Sequence, residues 1–320
     1  MALAERYAIP VVKTMMGISL LPTDHPLNMG MIGAHGNRCA NKALAKSDLL
    51  IMVGTRAADR AIISPDEIQR RMATIHIDVD PAEIGKNMQA AIPLVGDVKV
   101  ILQQLLALKV PAPDAAAWRA CLKEYRRAEL TREFPRREGS VFPGTVLRKL
   151  GWRLDDDAVV CVDVGQNQIF ACKYLPQKHG RLLTSGGLGT MGYALPAAIG
   201  VKVARPDRQT VVVCGDGSFQ MAMNELAAIR CADMDIKIVL FRNHVLGLVH
   251  QLQKAEPYHG PYGVALDGSP DFETIAAAYG IPSLVADDED KLDETLDRFL
   301  GTRGSCVLIC EVYPDVGTND

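Results

Sequence analysis

The sequence predicts an α/β protein of two Rossmann-like parallel-sheet domains. Three observations carry that prediction. Short runs of Val, Ile and Leu alternate with helix-patterned segments along most of the chain, which is the pattern that parallel sheets demand. A proline-containing stretch followed by a charged helical segment divides this series near its middle. The 320 residues, 48% of them hydrophobic, are enough for about two cores.

The first domain is expected over residues 1–107. "ALAERYA" reads as helix, "IPVVKT" as extended chain, "CANKALAKS" as helix and "DLLIMVG" as a buried strand; "TIHIDVD" follows as a strand and "VKVILQQLLAL" as a closing helix. Residues 108–141 form the linker region. There "KVPAPDAAA" leads into "WRACLKEYRRAELTREFPRR", polar over most of its length and read as a solvated linker helix. The second domain is expected over residues 142–320. It runs "FPGTVLRKLGWRL" as helix, "AVVCVDVG" as strand, "MGYALPAAIGVKVA" as helix, then "QTVVVCGDG" and "IKIVLFRN" as strands. Helices "DFETIAAAYG" and "DETLDRFLG" flank "SLVADD", and "SCVLICEVY" is the last strand.

The formal net charge is −3 and the charged residues are scattered, so neither nucleic acid nor an anionic membrane is an expected partner. No apolar run approaches the ~18 residues that span a bilayer, and the first residues lack the pattern of a signal peptide. Eight cysteines (Cys39, Cys121, Cys161, Cys172, Cys214, Cys231, Cys306 and Cys310) have neither metal-ligand nor disulfide-framework spacing. They read as buried free thiols of a protein in a reducing cytoplasm.

The densest signal is "GDGSFQMAMNELAAIRCADMDIKIVLFRN", residues 215–243. "TVVVC" ends at Gly215, Phe219, Met223, Leu226 and Ile229 fall near helical spacing, and "IKIVLF" is the next strand, making one β-α-β unit. Strands joined by such a crossover run parallel, so Asp216 and Asn243 are expected together at the carboxyl edge of the sheet, where open α/β folds bind ligands. Strands ~4.8 Å apart let a carboxylate and an amide oxygen share one hard cation, for which Mg²⁺ is suited. The first amides of a helix starting near Ser218, beside the bare backbone of Gly217, are placed to receive a diphosphate. Gly-Asp-Gly alone is an ordinary turn. Its place after one apolar run, matched by Asn243 after the next, makes it a candidate site.

These residues resemble the thiamine diphosphate and Mg²⁺ motif of thiamine-dependent enzymes. Within that group "TSGGLGTMGYALPAAIG", "GDGSFQMAMNELAAI", "MGMIGAHGN" and "HIDVDPAEIGKN" resemble, in order, the acetolactate synthase (acetohydroxyacid synthase) catalytic subunit, with its middle FAD-associated domain and C-terminal thiamine diphosphate-binding domain. The resemblance implies that Asp216, Asn243 and the carbonyl of Val245 hold Mg²⁺. Gln166, Asn167, Gly217, Ser218 and the turn His244, Val245, Leu246, Gly247 and Leu248 would surround the diphosphate. Gly189, Thr190 and Met191 would hold the aminopyrimidine, with Met191 as the apolar wedge that bends the cofactor. In the first domain Ile32, Gly33, Ala34, His35, Gly54, Thr55, Arg56, Asp78, Val79, Asp97 and Val98 fall where family members contact FAD. Arg60 matches an arginine beside the substrate channel and is a candidate contact for a 2-ketoacid carboxylate.

The sequence departs from the family in several places. Ala57 and Ala58 stand where Phe-Asp is usual, Asn167 where a His is usual, Arg242 where the first Asn of a pair is usual, and Leu252 at the place of a tryptophan that shapes acceptor choice. The family's activating glutamate lies on an N-terminal pyrimidine-binding domain. Nothing in this sequence matches it, and neither Glu5 nor Glu225 is placed to replace it.

The resemblance therefore implies a carboligase that decarboxylates pyruvate and joins the two-carbon unit to a second 2-ketoacid, in branched-chain amino acid biosynthesis. The expectation for this chain alone is a truncated product, an expressed fragment or half of a split enzyme, inactive without a pyrimidine-binding domain. A homodimer or higher oligomer, with a separate pyrimidine-binding domain or a regulatory subunit as partner, is expected. The alternatives are another thiamine-dependent 2-ketoacid decarboxylase or acyltransferase, and a non-catalytic cofactor-binding remnant or subunit. A nicotinamide dehydrogenase is disfavoured because no G-x-G-x-x-G follows a strand.

Overall fold

A computed structural model describes residues 1–108, 110–255 and 260–319. The chain forms two compact units, Met1–Arg132 and Glu133–Asp320. No described helix is long and apolar enough to cross a membrane.

Unit 1 contains α1 (Ala2–Tyr7), β1 (Val11–Lys13), a 3-10 turn (Met15–Leu20), β2 (Asn28–Met31), α2 (Arg38–Lys46), β3 (Leu49–Val53), α3 (Pro65–Arg71), β4 (Ala73–Asp78), β5 (Ile92–Val95), α4 (Val98–Ala107) and α5 (Ala116–Leu130). Its strands form two parallel sheets, β1-β2 and β3-β4-β5. The run "DLLIMVG", expected as a buried strand, is β3, an outer strand paired only with β4 among the described residues. Leu49 and Val53 are consequently 45% and 39% exposed.

The segment expected as a solvated linker helix is α5, and it is part of unit 1. Trp118, Leu122 and Tyr125 recur at i, i+4 and i+7 and pack on Met29, Cys39, Ala40 and Ala43. Glu129 closes the contact, accepting from Asn37 Nδ2 at 3.0 Å and Cys39 N at 3.4 Å. The polar composition hid a narrow apolar stripe.

Unit 2 contains α6 (Pro143–Arg153), β6 (Val159–Val162), α7 (Gln166–Tyr174), β7 (Arg181–Thr184), α8 (Ala194–Ala204), β8 (Thr210–Gly215), α9 (Asp216–Gln220), a 3-10 turn (Met223–Glu225) and α10 (Leu226–Cys231). It continues with β9 (Ile236–Arg242), α11 (Gly247–Ala255), α12 (Phe272–Ala278), β10 (Ser283–Ala286), α13 (Leu292–Gly301) and β11 (Cys306–Glu311). One six-stranded sheet runs β10-β11-β9-β8-β6-β7, parallel throughout. Alternate residues feed two cores. Val211, Val213, Val239, Phe241 and Leu308 face the layer holding Phe170 and Phe299. Val212, Cys214, Ile238, Leu240 and Ile309 face that of Phe219, Leu226 and Phe272.

Two expectations are corrected here. The helix expected from Ser218 onward is broken into α9, the 3-10 turn and α10, because Ala222 leaves the helical region at φ −137°. Among the cysteines, Cys39, Cys161, Cys172, Cys214, Cys306 and Cys310 are buried thiols outside any disulfide, but Cys231 is exposed at the end of α10 and Cys121 is half-buried.

Candidate functional site

The sheet of unit 2 reverses its winding at β6: β7 follows on one side, and β8 and β9 lie on the other. Such a switch point opens a crevice at the carboxyl ends of the strands. Here it is a cavity of about 140 Å³, lined by Gln166, Asn167, Met191, Asp216, Gly217, Ser218, Asn243, Val245, Leu246, Gly247 and Leu248, with apolar walls from Phe170, Phe241, Val249 and Val312. The same crevice thus receives the segments that follow β6, β8 and β9.

Asp216 and Asn243 meet as expected, because β8 and β9 are neighbours with Gly215 opposite Phe241. Asp216 is 2% exposed. Its Oδ1 accepts from Gly217 N at 2.8 Å, and its Oδ2 from His244 N at 2.7 Å and Asn243 N at 3.2 Å. Burial pushes the carboxyl above the ordinary carboxylate range, and the three backbone donors oppose that shift. A carboxylate offers about four lone-pair directions, so one remains for a further partner. Asn243 Oδ1 accepts from Val245 N at 3.2 Å, while its Nδ2 faces Gln166 Oε1 at 3.5 Å. His244 turns the chain with φ 59°, and its side chain is exposed, so it joins the site through its backbone.

The amino end of α9 is tied down by Ser218, whose Oγ accepts from Gly215 N and donates to Gly215 O, both at 3.1 Å. With only five residues, α9 offers the dipole of little more than one turn, less than the continuous helix expected. Gly247 permits the closest approach in the cavity. A Cβ there would lie 2.1 Å from Gln166 Oε1 and 2.7 Å from Asn243 Nδ2.

Sequence reasoning passed over Asp163. It follows β6 as Asp216 follows β8, and it is buried with its carboxyl pushed upward by desolvation. Its Oδ1 accepts from Val164 N at 2.8 Å and Gly192 N at 2.9 Å, and its Oδ2 from Ala194 N at 2.9 Å. Asp163 therefore anchors the end of the 185–193 loop that carries Gly189, Thr190 and Met191. Only Met191 of these three lines the cavity; Gly189 and Thr190 are exposed. The signal for Asp163 was available in "VDVG", a polar residue directly after an apolar run.

In unit 1 the remaining candidates collect at another carboxyl edge. Gly54, Thr55 and Arg56 follow β3, Asp78 ends β4 with Val79 directly after it, and Asp97 and Val98 follow β5. Gly33, φ 113°, packs so closely that a Cβ would lie 2.0 Å from Arg60 O, and Ala34 N donates to that oxygen at 3.2 Å. The loop bearing Ile32 and His35 is thus brought beside the loop after β3. Asp78 Oδ1 accepts from Asp80 N at 3.0 Å, and Asp97 caps α4 by accepting from Val100 N at 3.0 Å. Arg56 and Arg60 are exposed, and Arg60 N, not its guanidinium, bonds to Asp59.

Comparison with known proteins gives these geometries a context. Residues 163–310 match the family "Thiamine pyrophosphate enzyme, C-terminal TPP binding domain", and residues 1–105 match "Thiamine pyrophosphate enzyme, central domain". The chain is 38% identical over 297 residues to the acetolactate synthase large subunit of Lactococcus lactis, covering 92% of this chain and 51% of that protein. It is 38% identical over 311 residues to the acetolactate synthase isozyme 1 large subunit of Escherichia coli, covering 96% of this chain and 54% of that one. It is 35% identical over 318 residues to the acetolactate synthase large subunit of Cyanidium caldarium, covering 97% and 54%. The chain thus spans about half the length of the curated relatives it matches. It belongs to the thiamine pyrophosphate enzymes, carrying their central and C-terminal domains in that order, and is a homologue of acetolactate synthase large subunits over most of its own length.

Proposed function

We propose that this chain supplies the diphosphate- and metal-binding half of an acetolactate synthase-type carboligase, a transferase that decarboxylates pyruvate and joins the two-carbon unit to a second 2-ketoacid. The observation that carries the reading is the convergence of Asp216, Asn243 and Val245 at the ends of adjacent parallel strands, on one cavity. The donor set fits Mg²⁺ because its members, all lining one cavity, offer oxygen atoms alone. One carboxylate with neutral oxygens from Asn243 and Val245 suits a hard cation that keeps water and phosphate in its remaining positions.

When bound, thiamine diphosphate supplies the electron sink for breaking the bond beside a keto group. This chain's residues hold and orient it. Asp216 brings the negative charge that binds the cation. Gln166, Asn167, Gly217, Ser218 and the backbone from His244 to Leu248 receive the diphosphate, and Met191 presses on the cofactor from the apolar wall. Gly189 and Thr190 take the aminopyrimidine at the exposed rim. In unit 1 the edge bearing Gly33, His35, Gly54, Arg56, Asp78, Val79, Asp97 and Val98 is the FAD surface, and Arg60 meets the substrate carboxylate. The two units, Met1–Arg132 and Glu133–Asp320, are the two functional domains, working in a cytoplasm that keeps the thiols reduced, in an assembly of more than one chain. Turnover requires a pyrimidine-binding domain to supply the activating glutamate.

Thermal denaturation with Mg²⁺ and thiamine diphosphate tests the site, since a ligand of the folded state raises the midpoint. Wild type should shift and Asp216→Asn should not; equal shifts reject the assignment. Acetolactate formation on adding a pyrimidine-binding domain from a relative tests the reaction, and no gain with both parts folded rejects it.

A further inference from the structure

The cavity residue Gln166 is held from an unexpected direction. Its Nε2 donates to Val316 O at 2.7 Å and to Gln251 Oε1 at 3.0 Å. Gln251, on α11, accepts from Thr318 N at 3.1 Å and donates from Nε2 to Thr318 Oγ1 at 3.0 Å. Thr318 is fully buried, and its carbonyl accepts from Lys173 Nζ of α7 at 2.6 Å. Lys254 of α11 pairs with Asp315. Residues 315–318 therefore stitch α7 to α11, the two helices whose amino ends form one wall of the cavity.

We propose that residues 316–318, acting through Gln251, are a positioning segment for the metal-binding side of this site; the inference rests on the function proposed above. A side-chain amide can be turned either way, and backbone groups with fixed polarity decide which. A carbonyl only accepts, so Val316 O fixes Nε2 of Gln166 on its own side. A backbone N–H only donates, so Thr318 fixes Oε1 of Gln251, which then accepts from that same Nε2. Gln166 Oε1 is left pointing at Gly247 and at Asn243 Nδ2. With its Nδ2 facing Gln166, Asn243 presents Oδ1 to the other side, as a cation ligand must. The segment thus acts together with Val245 N, which donates to Asn243 Oδ1, in setting the orientation of an amide oxygen that it does not touch.

Gln251→Met keeps the length of the side chain and removes both of its polar ends; Gln251→Glu keeps the acceptor for Thr318 N and Gln166; Thr318→Val removes the hydroxyl that accepts from Gln251 Nε2. The readout is the Mg²⁺ concentration that half-saturates the thiamine diphosphate-induced thermal shift of the 320-residue chain. It should rise about tenfold in Gln251→Met, the value of roughly one hydrogen bond, and stay within about threefold of wild type in Gln251→Glu and Thr318→Val. The response to thiamine diphosphate at saturating Mg²⁺, and the midpoint without ligand, should change little. An unchanged Mg²⁺ requirement in Gln251→Met overturns the inference while wild type still responds. So does an equal loss in Gln251→Met and Gln251→Glu accompanied by a lower unliganded midpoint, which marks a merely structural role. If wild type itself gives no shift, the proposed function fails and this inference with it.

Discussion

The two units apply one architecture with different completeness. In unit 2 a single six-stranded sheet is covered on both faces, and its carboxyl edge carries a cavity lined by buried polar groups. In unit 1 the strands are divided between two short sheets, and apolar side chains of the outer strands β3 and β5 stand exposed. Candidate residues gather at a carboxyl edge in both. In unit 2 the buried carboxylates Asp163 and Asp216 bridge separate segments of chain, whereas in unit 1 Asp78 and Asp97 bond to amides two and three residues away. A ligand edge becomes a pocket only when the sheet behind it is continuous and the loops in front are tied to each other.

The sharpest way to break the comparison is at the best-tied residue. Asp216→Asn should abolish the Mg²⁺-dependent shift, a loss of at least about 100-fold in affinity, as expected for removing a buried carboxylate from the proposed ion site. Arg56→Ala, at the unit 1 edge, should alter stability by less than about 0.5 kcal/mol. A comparable loss of unit 2 cofactor binding in both variants would erase the distinction.

Hydrogen exchange tests the sheets themselves. Amides of β8, β9 and β11 should exchange only through global unfolding, and those of β3 and β5 at least about tenfold faster, because exposed outer strands open locally. Equal protection would show unit 1 to be as cooperative as unit 2. Gly33→Ala should destabilise unit 1 by about 1–3 kcal/mol, since the new Cβ meets Arg60 O at an unfavourable φ. Denaturant melts that monitor Trp118 of unit 1 and Trp152 of unit 2 separately should show the loss in the first signal. A loss confined to Trp152 would contradict the packing described.

The smallest effect concerns the thiols. Burial pushes Cys39 and Cys161 up to about 12 and raises Cys214 and Cys310 as well. At pH 8, well below those values, each of these side chains is a protonated thiol and unreactive. Iodoacetamide on the native protein should therefore label exposed Cys231 first. Mass spectrometry showing Cys161 or Cys214 modified at a similar rate would mean that the unit 2 core opens readily.

Much of this was legible in the sequence, because parallel strands buried on both faces read as unbroken apolar runs: β6, β8, β9 and β11 all announce themselves in that way. What escaped had no periodic signal. Helix α7 is buried on almost all sides, from Gln166 to Tyr174, so it carries no amphipathic stripe. β5 is four residues long and contains Pro93. The break at Ala222 runs against a helix-compatible spacing of apolar residues, and nothing in "QMAMNE" announces it. At the site, Asp216 and Asn243 were readable because each ends an apolar run. The bonds from Gln166 to Val316 and Gln251 were not, since they join positions 150 and 85 residues apart.

The divided strands of unit 1 carry one more consequence. Among the described residues two short sheets present four outer ladders, where a single sheet presents two, and each ladder can template an additional strand from another molecule. Self-association through this unit should follow protein concentration and respond little to thiamine diphosphate. High protein concentration is then the condition under which unit 1, rather than the cavity of unit 2, governs how the protein behaves.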